Sequence, residues 1–521
     1  MSPPTMSATN GADGRRALLT QGLLVLLVSA VAGLLIALAA ARTSPYLALG
    51  AVIGLLVFCV LVYYPNMGLM LLAALVPIER VGRLTDDAAM YTVSLMRIAG
   101  VLTLGALLLN RLLKRKGFLF GAPLLLYGVF VAFSLLSITY SDDRLTSVQM
   151  ALTFLGNLLF FFLILNLTKD RRSMNAAILV WLLSTVLTGV YATYDWHFGS
   201  GETGGFAAID DRDPGRGRNT EQRMSAVWED VAEQESLGEA VRRSMGPTSH
   251  AAVFGINLIL SLPFFVYAVR VRKDWLSKTL LALGGAFVAY NIFLTNTRSV
   301  MLTTGLVCLL CLIVGLVKLS GARILVGFVA AAVLLLLVPI DTYTRSLDLS
   351  QYSLDRSATL RIRFAYWEAG LAIIRDHWLT GLGSGNEMAV MEYVRIDAPQ
   401  ASSLHNEYLQ TMMEVGVLAG SAFFGFVGLV LAYSFRAAAV FRQQSRDGDE
   451  YLLLRASQVA MIAVLFYGLQ VDVFHFPLKG WWLIAGFVCV LFRASQGLSP
   501  VKRSVAAVPQ GDGRAIAVDA A

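Results

Sequence analysis

The chain has 521 residues, of which 56% are hydrophobic and only 15% charged, with a mean hydropathy of +0.65. A soluble globular chain carries roughly 25% charged residues and breaks its apolar runs far more often. The composition therefore excludes a soluble protein and predicts an all-α, polytopic integral membrane protein with about 12–14 transmembrane helices. The formal charge of +7 does not imply nucleic acid, because the basic residues are dealt out between apolar spans instead of gathering on one soluble face.

A polar tail over residues 1–17, ending near Arg15 and Arg16, precedes an apolar run over 18–41. Ala39 to Ala41 imitate a signal-peptide cleavage site. The run is longer than the roughly 7–15 residues of a signal core and further spans follow, so we read it as an uncleaved first span. Apolar stretches read as spans then recur at 45–64, 66–79, 93–112, 119–138, 148–167, 175–195, 249–269, 279–296, 299–317, 322–341, 411–435, 456–474 and 477–493, of which 66–79 is too short to cross comfortably. With fourteen spans both termini lie on one side, and that side receives Lys114, Arg115 and Lys116, then Lys169, Arg171 and Arg172, then Arg270, Arg272, Lys273 and Lys278. It also receives Lys318, Arg323, Arg436, Arg442, Arg446, Lys502 and Arg503, so the positive-inside rule makes it the cytoplasm. The expected layout is N-terminal helices over 18–195, an outer segment over 196–248, helices over 249–341, a large outer segment over 342–410, C-terminal helices over 411–493 and a polar tail over 494–521. Cys59, Cys308, Cys311 and Cys489 all fall inside apolar runs, where neither a disulfide framework nor a zinc site is expected.

The first outer segment opens Gly-rich and acidic and continues as a helix-like run over Glu221–Arg243, with Met224, Val227, Trp228, Val231, Leu237 and Val241 on an apolar stripe. Asp211-Arg212-Asp213 has the look of a metal-binding Asp-x-Asp, but followed by Pro214 and Gly215 it reads as a turn. The second outer segment holds most of the candidate chemistry. Gly381 to Gly385 lacks the strand and the Lys of a phosphate loop and reads as a turn after a helix. All five histidines, His197, His250, His377, His405 and His475, fall on or near the outer side, and His is suited to proton transfer near neutral pH. Asp472, close to His475, is unassigned.

From His405 to Gly420 the chain reads H-N-E-Y-L-Q-x-x-x-E-x-G-x-x-A-G, which resembles the signature of the bacterial O-antigen ligase family, a family that also contains surface-polysaccharide polymerases. Upstream, Arg363, then Trp367, then the turn ending at Gly385 resemble that family's Arg–Trp–Thr-Gly element. Asn296 to Ser299 is similar to its Ser/Thr-Arg-small element, and Arg243 to Gly246 to its Arg-x-x-Gly. The resemblance covers about 243–425. Here Pro247 to Ala252 lacks the Asn that often follows the last motif, and the segment before Arg243 is longer than the family suggests.

The resemblance implies transfer of a glycan from a polyprenyl-diphosphate carrier to an acceptor hydroxyl, on lipid A–core or on another glycan, at the outer face of the bacterial inner membrane. It implies partners that flip the carrier and set chain length, and no cofactor. Such a reaction needs cations for the diphosphate, a base for the hydroxyl and an apolar groove for the prenyl tail. Arg298 lies between two apolar spans with no acid close by in sequence, and an intramembrane cation is costly enough to expect a function. Arg363, with Arg361 as alternate, and Arg243 complete the diphosphate-binding candidates, since guanidinium forks pair with phosphate oxygens. With arginines neutralising the leaving group, no metal is needed. His405 is the candidate base, with Asn406 orienting it or the acceptor sugar. Glu414, inside an apolar run, must be paired or protonated and is expected to be a structural partner. Tyr408 either stacks near His405 or meets sugar. The rival class is a lipid-linked oligosaccharide flippase or other transporter, which would carry ionisable residues deep in several spans and internal repeats.

Overall fold

The computed structural model describes residues 45–78, 94–198, 243–248, 251–318, 358–385, 390–394, 404–471 and 478–497, together with Gly33. Among them are fourteen α-helices and no strand, and the chain is an all-α polytopic membrane protein. In hydrocarbon each backbone N–H and C=O must find its partner within the chain, which a helix does locally. The helices are α1 (Pro45–Tyr63), α2 (Pro65–Leu75), α3 (Leu95–Leu113), α4 (Ala122–Ser137), α5 (Arg144–Leu167), α6 (Arg171–Phe198) and α7 (Ala251–Val271). They continue as α8 (Trp275–Leu294), α9 (Arg298–Ile313), α10 (Ala358–Asp376), α11 (Val390–Tyr393), α12 (Glu407–Gln444), α13 (Asp449–Tyr467) and α14 (Lys479–Ser495).

Seven of these, α3, α5, α6, α7, α8, α12 and α13, are long and apolar enough to cross a membrane, and four shorter apolar helices accompany them. Of the fourteen expected spans, twelve coincide with a helix, while 18–41, apart from Gly33, and 322–341 lie outside the described residues. The main departures are at helix starts. Asp143 caps α5 by accepting Thr146 N–H at 3.1 Å, so the helix starts at Arg144, four residues before the expected span at 148. Likewise α13 begins at Asp449, because Asp449 and Glu450 pair with Arg171 and complement the positive end of the helix.

The bundle is apolar inside and out. Leu56, Val101, Leu125, Leu183 and Leu280 are 60% to 66% exposed, while Leu69, Ile164 and Ile259 on the same helices' neighbours are fully buried. A soluble surface could not carry so many large apolar side chains, and a lipid-facing one does. Aromatic rings fill the centre: Phe426 stacks on Trp482 at 5.3 Å, and Tyr127 lies 4.4 Å from Trp482. Charged contacts gather at one end of the bundle. There Arg270 and Lys318 share Asp447, Arg270 also donates to the carbonyls of Gly315 and Leu316, and Arg111 donates to Asn166. The opposite end, formed by the C-termini of α4, α6, α8 and α13 and the N-termini of α5, α9 and α12, holds the candidate site.

Candidate functional site

The helix that carries the motif is broken. An uninterrupted span over 411–435 is expected from the sequence. Instead α12 starts at Glu407 and runs to Gln444, with Gly416 inside it at φ 69° and ψ −178°. That conformation opens the helical ladder, and the turn that follows α10 closes it again. Leu382 N–H donates to Met413 O at 2.9 Å, Gly383 N–H to Glu414 O at 2.8 Å, and Val417 N–H to Trp378 O at 2.8 Å. Two backbones approach so closely only because both positions are glycine. A Cβ on Gly381, itself at φ 67°, would strike the Glu414 carbonyl, and one on Gly416 would strike the Leu379 carbonyl. The far side of the turn rests on the α4–α5 corner, where Tyr140 donates to Thr380 O at 2.7 Å and Ser147 to Ser384 O at 2.6 Å. The expected turn at Gly381–Gly385 is therefore a seat for the break in α12.

The residue before His405 is held from two sides. Leu404 N–H donates to Gln410 Oε1 at 3.0 Å, and Trp367 Nε1 of α10 donates to Leu404 O at 2.9 Å. Its side chain is fully buried among Tyr366, Ala369, Ile373 and Met413, and Gly370 leaves it room. His405 itself is half-buried at φ 50°, a left-handed conformation that few non-glycine residues adopt but that His tolerates better than most.

The structure gives these neighbours definite partners. Asn406 is the N-cap of α12, its Oδ1 accepting the N–H groups of Tyr408 at 3.1 Å and Leu409 at 3.2 Å, so that oxygen is engaged by backbone. Tyr408 does not face His405: its ring stacks on Phe424 at 5.6 Å and its hydroxyl donates to Leu465 O at 2.6 Å. On α10, the exposed Phe364 meets the half-buried Trp367 edge-on at 5.2 Å, on the same face of the helix. Glu414 is buried and accepts from Gln410 Nε2 at 2.7 Å.

The arginines approach from the other side. Ser244 N–H donates to Leu294 O at 2.9 Å, which lays Arg243 and its neighbours along the end of α8 just before Asn296 and Arg298. Arg298 is the first residue of α9. Its neighbour Ser299 is hydrogen-bonded to the Tyr467 hydroxyl, which donates to Ala252 O at 3.1 Å, and the charge of Arg363 acts on the same hydroxyl. Tyr467 is followed by Gly468, whose carbonyl accepts Glu407 N–H at 2.8 Å. The C-terminus of α13 thus joins the Arg298 side, the Arg363 side and the His405 loop. The Nε atoms of Arg243, Arg298 and Arg363 are all buried from solvent.

Arg298 also heads a groove of 520 Å³ lined by Met301, Leu302, Gly305, Leu306 and Leu309 of α9 and by Phe466 of α13. Of the remaining candidates, His197 bonds Tyr290 at 2.9 Å away from this junction, and His377 is exposed at the end of α10. His250, Asp472, His475, the Glu221–Arg242 run and Asp211–Asp213 lie outside the described residues, as does the side chain of Arg361. Sequence reasoning missed Gln410, Glu407 and Tyr467. The first two carried a signal, polar side chains at the head of an apolar run; Tyr467 carried none.

An α-helical bundle with a membrane-length apolar exterior defines a polytopic membrane protein, and one of its ends gathers the candidate histidine loop and the candidate arginine elements. Residues 281–424 match the O-antigen ligase family model, which supports assigning that domain to the family. The match runs from α8 into α12 and contains Arg298, Arg363, His405 and Glu414, but not Arg243. No curated protein matches the chain.

Proposed function

We propose that this protein is a membrane glycosyltransferase that moves a glycan from a polyprenyl diphosphate to an acceptor hydroxyl at the periplasmic face of the bacterial inner membrane. The reading is carried by the junction at Tyr467, where the Arg298 and Arg363 elements meet the His405 loop. It agrees with the O-antigen ligase match, which supports a membrane enzyme of polysaccharide biosynthesis.

Arg298 and Arg363, with Arg243, hold the diphosphate. Guanidinium suits this task because it donates paired hydrogen bonds and keeps its charge when partly desolvated. The groove below Arg298 takes the first isoprene units of the tail. His405 accepts the acceptor's hydroxyl proton as the oxygen attacks the anomeric carbon. The bond from that carbon to the diphosphate oxygen breaks, its electron pair leaves with the diphosphate, and configuration at the carbon inverts. Both termini lie in the cytoplasm on this reading, and the outer segment over 342–410 delivers Arg363 and His405. Gln410 and Glu414 support the loop, and Asn406 caps the helix behind it.

The test compares wild type with His405→Ala, Arg298→Ala and Arg363→Ala at matched membrane abundance in a host lacking the protein, following lipid-linked glycan and mature surface polymer. Accumulated precursor with loss of polymer in each variant is expected. Single repeats on the precursor define a polymerase and full chains a ligase. Wild-type behaviour of the variants overturns the site, and precursor confined to the cytoplasmic leaflet makes the protein a flippase.

A further inference from the structure

Behind the His405 loop the bundle buries a second set of polar groups that the transfer chemistry does not use. Glu407, the first residue of α12, is 1% exposed, and its carboxylate accepts from Thr411 Oγ1 at 3.1 Å. Lys479, the first residue of α14, is 7% exposed; its ammonium donates to Asn157 Oδ1 of α5 and lies 5.9 Å from the centre of the Phe160 ring. On the Lys479 side lies Tyr127 of α4, 1% exposed, packed on Trp482 of α14 at 4.4 Å; its hydroxyl meets the Asn157 side chain and feels the charge of Glu407. Around this set are apolar rings: Phe130, Phe426 and Trp482 pack on Tyr127.

An isolated charge in such surroundings is very costly, and one acid with one base, linked through polar side chains, is the arrangement that offsets the cost. Apolar residues of similar size would fill the space more simply, so the retained charges call for a role at this place. Position supplies it. Glu407 stands two residues after His405, and its N–H is bound to Gly468, next to the Tyr467 hydroxyl that meets Ser299 and is acted on by the Arg363 charge. Whatever fixes the first turn of α12 therefore fixes the height of His405 relative to both arginines.

We propose that Glu407 is a positioning residue for the transfer and that Lys479 is its buried counter-charge, the two joined across α12, α4, α5 and α14 by Tyr127 and Asn157. The proposal rests on the glycosyl-transfer reading of the adjacent site. Glu407 touches no reacting atom; it holds the imidazole where the acceptor proton can be taken. Lys479 acts one step further back, as the opposite charge within the same buried polar set.

The test uses the full-length protein in detergent with lipid-linked glycan extracted from the deletion host as donor, and measures melting temperature and transfer rate for Glu407→Gln, Lys479→Met, the double variant and His405→Ala. Gln keeps the shape of Glu407 and can still accept from Thr411, so Glu407→Gln separates the charge from the packing. Expected are a kcat lowered about tenfold or more for Glu407→Gln with donor KM within about twofold of wild type, and a melting temperature for the double variant above that of Lys479→Met alone. Wild-type kcat in Glu407→Gln, or strictly additive losses of melting temperature in the double variant, overturns the proposal. A His405→Ala protein of undiminished rate overturns the transfer reading and the positioning role with it, while the melting coupling still reports whether the two buried charges interact.

Discussion

Gln410 and Leu404 are tied by a buried hydrogen bond of 3.0 Å, in which the amide oxygen of Gln410 takes the backbone N–H that precedes His405 while its nitrogen donates to Glu414. A single side chain thus connects the loop, the first turns of α12 and the carboxylate above the Gly416 break. Gln410→Leu leaves a buried N–H and a buried carboxylate with one partner fewer each. Each such loss costs about 1–3 kcal/mol, and more where the group is charged. We expect a lower melting temperature in detergent and a loss of polymer larger than the fall in membrane abundance, read by quantitative blot against polymer on a gel.

The glycine pair gives a second expectation. Gly381→Ala and Gly416→Ala each add a Cβ onto a carbonyl of the opposite segment at a positive φ, with a strain of about 1–3 kcal/mol before any clash. Gly428 lies further along the same helix with nothing within 4 Å of its Cβ position, so Gly428→Ala is expected to be neutral or to stabilise by helix propensity. Thermal unfolding followed by size-exclusion fluorescence ranks the three. Equal effects would remove the special status of the break.

If Arg298 and Arg363 hold a diphosphate by paired hydrogen bonds, lysine is a poor replacement, because an ammonium offers no planar fork. Arg298→Lys and Arg363→Lys should remain well below wild type in polymer formation at matched abundance. In a donor titration the losses should fall mainly on kcat/KM. Full rescue by lysine at both sites would leave only a role for charge.

Asn406 separates a cap from a sugar contact. Asn406→Asp keeps an acceptor for the Tyr408 and Leu409 N–H groups and should retain stability, whereas Asn406→Ala loses the cap at a cost of about 1 kcal/mol. Activity that follows stability through this series supports the cap alone. Loss of activity in Asn406→Asp at unchanged melting temperature assigns the Asn406 amide nitrogen a role in the reaction.

At the other end of the bundle the Lys318 ammonium, with Arg270, holds the Asp447 carboxyl below its ordinary value. A carboxylate with a depressed folded-state pKa contributes stability that is present above the unfolded value, about 3.9, and is lost as pH falls through the folded one. Asp447→Asn should therefore melt below wild type at pH 7, with the gap closing in acid below that value. The group is exposed, so the gap should be small and shrink in high salt. A gap that widens in acid contradicts the sign.

Much of this protein was legible in its residues because lipid leaves a chain few choices. Apolar runs with no internal water must become helices, so twelve of the expected spans are helices, and the Gly381–Gly385 turn is a turn. The order of Arg298, Arg363 and His405 along the chain also pointed to the O-antigen ligase family, whose model covers all three. What the residues could not reveal are relations between segments far apart in sequence. The break at Gly416 depends on the backbone of Leu379, and an unbroken apolar run carries no mark of it. Tyr408 looks available in sequence but is engaged by Phe424 and Leu465, and the Asn406 oxygen by the helix's own N–H groups. Tyr467 is one tyrosine among 18 until the end of α13 brings it against Ser299 and Ala252. Local physics determined which segments are helices and which residues are costly to bury. Only the packing of those helices decided which polar groups meet, because a hydrogen bond or buried charge is satisfied by whatever lies within about 3 Å, whatever its place in the chain.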